Sequence, residues 1–131
     1  DLKYEKYLEQ VQKKMELMER QIFQFHIIKL MYITNKMINI KEKLKTLPKD
    51  PGVYVMKDAT GTIIYIGKAK NLKNRVSSYF IGAHDAKVTA MVAHIADLEW
   101  FVVNTENDAL FLEANLIHKH QPKYNILLKN K

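Results

Sequence analysis

The stretch PGVYVMKDATGTIIYIGK at residues 51–68 decides the fold. It contains two short runs rich in Val, Ile and Tyr, at residues 53–56 and 62–66, joined by Asp58-Ala59-Thr60-Gly61. β-branched and aromatic residues favour strands, and a connection of this length that ends in Gly is typical of a β-hairpin. The sequence therefore predicts two antiparallel strands joined by a tight turn.

Helices and a third strand are predicted outside this hairpin. Asn71 and Thr105 are typical N-cap residues, and each precedes a segment with apolar residues on one helical face. Residues 99–103 favour a third strand, and Gln121-Pro122 should end the last helix. The helices are expected at residues 38–47, from 71 to about 80, at 86–96 and at 106–119. The expected fold class is α/β in content (α+β): a small three-stranded antiparallel sheet flanked by helices, with a long N-terminal helical extension.

Residues 1–36 carry a heptad pattern. Apolar residues recur at alternating spacings of 4 and 3, at Tyr4, Leu8, Val11, Met15, Met18, Ile22 and Phe25. This spacing indicates a seam along one long helix, which packs either on its own domain or on a second chain. Because Met37 reads as a natural start, residues 1–36 also fit an extension or fusion without a part in the activity, ahead of a domain at residues 37–131. Met, Tyr and Phe specify oligomeric state poorly, so we expect a weak homodimer through residues 4–25 or an intramolecular dock.

Composition narrows the function classes. The 131 residues fit one compact domain with an appendage, and no apolar run is long enough to cross a bilayer. The absence of Cys excludes a disulfide framework, thiolate-bound zinc and a cysteine nucleophile, and with no signal peptide we expect a cytoplasmic protein. The net charge is +7, and residues 41–75 alone hold 9 basic and 3 acidic groups. Such a concentration of positive charge is typical of a phosphate-binding face.

Several common sites are excluded by spacing. Gly67-Lys68 lacks the following Ser or Thr of a P-loop, and no G-x-G-x-x-G occurs. The only serines are Ser77 and Ser78, on a predicted helix, which argues against a serine triad. What remains is the hairpin with the helix after it. There Tyr54 can approach Tyr65 across the strands, and Gly67 should let a ligand come close.

Gly52-Val53-Tyr54 followed by Tyr65-Ile66-Gly67 resembles the signature of the GIY-YIG nuclease family, with Val in place of its Ile. The resemblance is stronger to the branch that makes the 3′ incision in bacterial nucleotide excision repair. It is carried by residues 51–58, 64–72, 75–80, 113–117 and 122–125, and spans about residues 37–131. It leaves out residues 1–36, and it implies one module of a longer protein or a stand-alone relative.

The resemblance implies metal-dependent hydrolysis of a DNA phosphodiester. Glu113 would hold one divalent cation, Mg²⁺ or Mn²⁺, since both prefer hard oxygen ligands. Tyr65 would be the general base, with Lys68 favouring its phenolate, and Arg75 would hold the scissile phosphate. The remaining roles would be ordering of water and phosphate by Tyr54 and Tyr79, bracing of the site or phosphate contact by Asn125, and substrate contact by Lys70, Lys73 and Gly67.

The implied partners are DNA and the other subunits of the excision-repair assembly, with no membrane. Two other classes remain open. One is a stand-alone GIY-YIG endonuclease of the restriction, homing or small bacterial type, which shares the chemistry. The other is a DNA-binding adaptor without turnover, against which the presence of Tyr65, Arg75 and Glu113 argues.

Overall fold

The computed structural model describes residues 1–129, which form five helices and three strands. The elements are α1 (Leu2–Thr46), β1 (Gly52–Lys57), β2 (Ile63–Ala69), α2 (Leu72–Ser78), α3 (Ala86–His94), β3 (Asp97–Val102), α4 (Glu106–His120) and α5 (Lys123–Lys129). The last two residues of the predicted domain lie outside the described part. None of the helices within residues 1–129 combines the length and apolar character needed to span a bilayer.

The chain divides into two compact units, Asp1–Asn35 and Lys36–Lys131. The first unit is helical, and all of its side chains are exposed. The prediction of a separate short helix at residues 38–47 is wrong, because α1 continues through that segment to Thr46. No Gly or Pro lies between Ile33 and Ile40, so nothing in the local sequence interrupts the helix.

The three strands form one antiparallel sheet in the order β2-β1-β3, which confirms the predicted hairpin and third strand. Tyr54 lies opposite Gly67 on β2 and opposite Trp100 on β3. In the turn between β1 and β2, the Asp58 carboxylate accepts hydrogen bonds from the backbone N–H of Thr60 and Thr62. These bonds tie the turn together and hold the register of the hairpin.

Helices cover both faces of the sheet, so β1 is buried on both sides. Val53, Val55 and Ile66 pack against Ala109 of α4 on one face. Tyr54 and Met56 point to the opposite face, where α2, α3, α5 and the last turns of α1 build the larger core. Strand alternation therefore sends the tyrosine of β1 away from α4, into the layer that holds α2.

The predicted N-caps are both present. Asn71 accepts a hydrogen bond from the Asn74 N–H at 3.0 Å and begins α2, and Thr105 accepts one from the Asp108 N–H at 3.1 Å and begins α4. Helix α5 was missed by the sequence analysis, which took Pro122 only as a stop. Gln121 does end α4, in the left-handed conformation with φ 46°, but proline is also compatible with a helix start, and α5 follows directly.

Candidate active site

Three tyrosine rings meet on the α2 side of the sheet. Tyr54 comes from β1, Tyr65 from β2 and Tyr79 from the residue after α2, and their ring centroids lie 5.8–6.3 Å apart. The hydroxyl groups of Tyr54 and Tyr79 are hydrogen-bonded at 2.6 Å. Tyr54 and Tyr79 are buried, whereas Tyr65 is only half-buried and lines a cavity. The cluster therefore consists of two buried rings and one half-buried ring.

Gly67 is what lets these rings fit. A Cβ atom at this position would lie 2.3 Å from both the Cζ and the hydroxyl oxygen of Tyr54. The sequence analysis expected this glycine to let a ligand approach the strand end. In the structure the Tyr54 ring fills that space, because Tyr54 is the residue directly opposite on β1.

Arg75 is the cation nearest to this cluster. Its guanidinium carbon lies 5.1 Å from the centroid of the Tyr79 ring, within the range of a cation–π contact. Helix α2 positions Arg75 three residues after Leu72 and one before Val76, both of which are buried in the core. The buried face of this short helix thus fixes the direction of an exposed arginine.

The cavity beside Tyr65 has a volume of about 350 Å³ and is lined by Tyr65, Arg75, Ser78, Tyr79 and His84 among others. His84 was given no role by the sequence analysis. One of its ring nitrogens, Nε2, lies 2.9 Å from the Ser78 carbonyl oxygen, and its ring lies 6.3 Å from that of Tyr79. No local sequence pattern predicts that His84 lines this cavity, because its ring is brought there by α2 and the loop after it.

Burial raises the pKa of the Tyr65 hydroxyl well above its ordinary value, and the neighbouring Tyr79 adds to this increase. The positive charge of Arg75 acts in the opposite direction, and the carboxylate of Glu113 raises the pKa further. The sequence-based expectation gave Lys68 the role of favouring the phenolate. In the structure the charge of Arg75 lowers the pKa of Tyr65, and the charge of Lys68 lowers the pKa of Glu113, so the role of Lys68 toward Tyr65 stays a prediction.

Glu113 lies on α4, which brings it to the end of β2. Desolvation raises the pKa of its carboxyl group, while the Lys68 ammonium and the Lys68 backbone N–H lower it in part. Its electrostatic coupling to Tyr65 and to Lys68 means that the three side chains share one neighbourhood. Helix α4 and strand β2 are in direct contact, which explains how residues 45 positions apart in the chain come together.

The donor set around Glu113 suits a hard, hydrated cation. Within residues 1–129 no group of three or more His, Asp or Glu side chains is close enough to form a complete protein cage. Mg²⁺ dehydrates reluctantly and is commonly bound through one or two carboxylates, with several waters kept. A single partly desolvated carboxylate is compatible with that mode of binding.

Asn125 is placed as a brace. Its side-chain oxygen accepts a hydrogen bond from the Ile66 N–H at 2.8 Å, and its amide nitrogen donates one to the Ile66 carbonyl at 2.8 Å. Ile66 lies between Tyr65 and Gly67 on β2, an edge strand of the sheet. Of the two roles expected for Asn125, the geometry is that of bracing.

The two remaining lysines of the predicted site differ. Lys70 lines a second cavity together with Lys68 and Arg75. Lys73 is half-buried, its backbone N–H donates to the Pro48 carbonyl at 2.9 Å, and it lines neither cavity. The sequence analysis missed Asn74 and Glu106, which also line the second cavity. The spacing of seven residues between Glu106 and Glu113 could have placed both on one face of α4.

Comparison with known proteins identifies the family of this domain. A family model described as the UvrC-like GIY-YIG domain matches residues 50–126. The UvrABC system protein C of Desulfitobacterium hafniense (strain Y51) is 59% identical over 91 residues, which is 70% of this chain and 15% of that protein. The chain thus spans only a small part of the length of that relative.

Solved structures match the same region. The magnesium-bound GIY-YIG N-terminal endonuclease domain of UvrC from Thermotoga maritima shares 46% sequence identity with a TM-score of 0.60, covering 65% of this chain and 93% of that one. A tyrosine-to-phenylalanine mutant of the same domain, bound to its catalytic divalent cation, gives 45% identity and the same TM-score of 0.60. The three-stranded sheet and its helices are therefore shared with a known nuclease domain.

Proposed function

The chain belongs to the UvrC-like GIY-YIG family, and from this premise we propose that it is a divalent-metal-dependent endonuclease module that hydrolyses a DNA phosphodiester bond. The reaction proposed is the 3′ incision beside a lesion in nucleotide excision repair. The observation that carries the proposal is that Arg75 and Glu113 both act electrostatically on Tyr65, which lines an open cavity together with Arg75. These three side chains supply a proton acceptor, a phosphate ligand and a metal ligand.

Tyr65 acts as the general base in this proposal, because it is half-buried and lines the open cavity, whereas Tyr54 and Tyr79 are buried. Its raised pKa keeps it a neutral phenol, so its deprotonation depends on positive charge brought near it. Arg75 already acts in that direction and is also the side chain suited to hold a phosphate in a planar, two-point contact. Tyr54 and Tyr79 orient the site through their hydrogen bond.

Glu113 would hold one Mg²⁺ or Mn²⁺. When bound there, the cation supplies Lewis-acid stabilisation of the charge that develops on the phosphate and the leaving oxygen. Lys68 has two effects at this site: its charge lowers the pKa of Glu113, which favours the carboxylate, and it adds positive charge at the strand end.

A nicking assay on supercoiled plasmid DNA tests the proposal, with Mg²⁺, Mn²⁺ or EDTA added. We expect nicking with either cation and none with EDTA. Glu113→Ala should abolish nicking while the fold is kept, because the lost interaction is worth several kcal/mol in the transition state. Glu42→Ala, which removes an exposed carboxylate on α1, is the matched control and should nick normally. Unchanged nicking by Glu113→Ala would contradict the metal assignment.

Tyr65→Phe tests the general base. The change keeps the ring and removes only the hydroxyl, so we expect the nicking rate to fall by at least about 10²-fold. Tyr124→Phe removes a hydroxyl from a buried tyrosine of α5 outside the tyrosine cluster and should leave the rate nearly unchanged. Full activity of Tyr65→Phe would reduce Tyr65 to a packing role.

The partners proposed are DNA and, by the same family membership, the UvrB–DNA complex of a bacterial cytoplasm. A stand-alone endonuclease of the family would cut without any such partner, so a nicking rate that does not respond to UvrB on damaged DNA would favour it. The weak homodimer through residues 4–25 is part of the proposal as well. Its support is the exposure of every side chain of the heptad seam in the first unit.

A further inference from the structure

A second cavity, of about 420 Å³, adjoins the active site on the far side of Arg75. It lies between the end of β2, the exposed face of α2 and the start of α4. Arg75 and Ser78 line this cavity and also the cavity that contains Tyr65. The two cavities are therefore neighbours that share the wall formed by α2.

The charges around the second cavity are mostly positive. Lys68, Lys70 and Arg75 line it, with Glu106 as the one carboxylate among its lining residues. The Lys70 ammonium and the Glu106 carboxylate are 3.9 Å apart, and their side chains are 81% and 63% exposed. An ion pair this long and this exposed is weak, so a stronger anion can displace the carboxylate at little cost. Asn74 adds a neutral hydrogen-bonding side chain to the same wall.

DNA presents a regular series of anions to this surface. Each strand carries one phosphate per ~3.4 Å of helix axis, so the phosphates on either side of the scissile one must lie close to the active site. With the scissile phosphate held at Arg75 beside Tyr65, a strand that passes the wall shared by the two cavities brings its next phosphate to the second cavity. Two further cations, Lys68 and Lys70, line this cavity.

We propose that the second cavity binds the DNA phosphate adjacent to the scissile one, and that this phosphate takes Lys70 away from Glu106. The inference rests on the proposed nuclease function and adds a second phosphate subsite, formed by Lys70 and Asn74, to it. Glu106 opposes DNA binding in two ways: it pairs with Lys70 in the free protein, and its negative charge repels the incoming phosphate. Its removal should therefore strengthen binding, which a purely structural role would not do.

The test is binding of a short fluorescein-labelled DNA duplex by the full chain, followed by anisotropy over a range of salt concentrations, with EDTA present to prevent cleavage. Glu106→Gln should tighten the dissociation constant severalfold. Lys70→Ala should weaken it and reduce the slope of log K against log salt by about 0.9, as expected for one lost phosphate contact. In the Lys70→Ala background, Glu106→Gln should have a smaller effect than in the wild type. Circular dichroism checks that each variant is folded.

Glu42→Gln is the matched control, since it removes the same charge from an exposed position on α1, outside the cavity. Its affinity should stay close to the wild-type value. If Glu42→Gln tightens binding as much as Glu106→Gln does, the effect is one of net charge, and the subsite is overturned. Unchanged affinity and salt slope in both Glu106→Gln and Lys70→Ala overturn it too.

The outcome can be separated from that of the proposed function, because wild-type nicking with Mg²⁺ is measured in parallel. A wild-type chain that nicks DNA while the Glu106 and Lys70 variants bind normally leaves the nuclease proposal standing and removes only the subsite. A chain that binds DNA with the expected Glu106 and Lys70 effects but never nicks supports the subsite and contradicts the nuclease. A chain that does not bind DNA contradicts both.

Discussion

Position 67 has no room for a side chain, because even one methyl group there would collide with Tyr54. Its Cβ would lie 2.3 Å from the Tyr54 ring, which is buried and tied to Tyr79 by a hydrogen bond. We expect Gly67→Ala to reduce the free energy of unfolding by about 1–3 kcal/mol, as for other overpacked cores. It should also lower nicking, because Tyr54 and its neighbours must shift. Urea unfolding and the plasmid assay measure the two effects.

Gly61→Ala is the control for Gly67→Ala. Gly61 has φ +83° and no atom within 4 Å of its Cβ position, so alanine there is strained but does not collide with the site. It should cost about 1–2 kcal/mol of stability and leave nicking by the folded protein intact. Equal loss of nicking in both variants would mean that the clash with Tyr54 is not the cause.

Lys68 and Glu113 together set a pH dependence. Because the pKa of Glu113 is raised, this carboxyl group takes up a proton at a higher pH than an ordinary glutamate, and cation binding is lost as the pH falls through that value. Lys68→Gln removes a charge that favours the carboxylate, so it raises the pKa further. We expect the acid-side loss of Mn²⁺ binding, measured by electron paramagnetic resonance without DNA, to move to higher pH.

Lys119→Gln serves as the control for the Lys68 variant, since Lys119 is an exposed lysine in the last turn of α4. The pH midpoint of Mn²⁺ binding in this variant should match that of the wild type. A midpoint in Lys68→Gln that stays in place or moves to lower pH would show that the Lys68 charge does not act on Glu113.

At the scale of elements, α5 holds the strand that carries Tyr65. Asn125 makes two hydrogen bonds of 2.8 Å to the backbone of Ile66 on edge strand β2. Asn125→Ala removes both and leaves two partly buried backbone groups unpaired, so we expect the free energy of unfolding to fall by about 1–3 kcal/mol. Nicking should fall with it, because Tyr65 and Gly67 flank the released residue.

The control for this element is Asn115→Ala on α4. Asn115 also donates a side-chain hydrogen bond, at 3.0 Å to the Phe111 carbonyl, but on an exposed helix surface. Its loss should cost less than about 1 kcal/mol in urea unfolding. If Asn115→Ala and Asn125→Ala are equally destabilised, the hydrogen bonds between α5 and β2 contribute no more to stability than one exposed side-chain hydrogen bond.

At the scale of the whole molecule, the boundary between the two units separates the UvrC-like GIY-YIG domain from the heptad seam. Residues 1–35 bury no side chain, whereas Lys36 already donates a hydrogen bond to the Ala93 carbonyl at 2.7 Å. We expect deletion of residues 1–35 to keep the domain folded and active, and to change its self-association in sedimentation experiments, since exposed Leu, Ile and Met side chains gain about 1.5–3 kcal/mol each when covered.

The opposite result of this deletion would contradict the prediction. A truncated chain that does not fold, with a wild-type mass that corresponds to a monomer, would make the first unit a structural part of the domain. The dispensable extension and the weak homodimer would then both be wrong.

The sequence by itself determined the features that depend on neighbouring residues. Alternating Val, Ile and Tyr around Asp58 define the hairpin, and Asn71 and Thr105 cap their own helices, because these interactions span only a few positions. The family pattern also located Tyr65, Arg75 and Glu113 in the chain. Helix α5 was missed because Pro122 has the same local signature at the end of one helix and at the start of the next.

Only the tertiary structure decided how these residues act on one another. The hydrogen bond between Tyr54 and Tyr79 joins positions 25 apart, and that between Asn125 and Ile66 joins positions 59 apart. The effect of Lys68 on Glu113 depends on how α4 packs against β2, and the contact between Gly67 and the Tyr54 ring depends on the strand register. Distances of this kind follow from the packing of whole elements, and electrostatic effects change steeply with them, so no local pattern in the sequence records them.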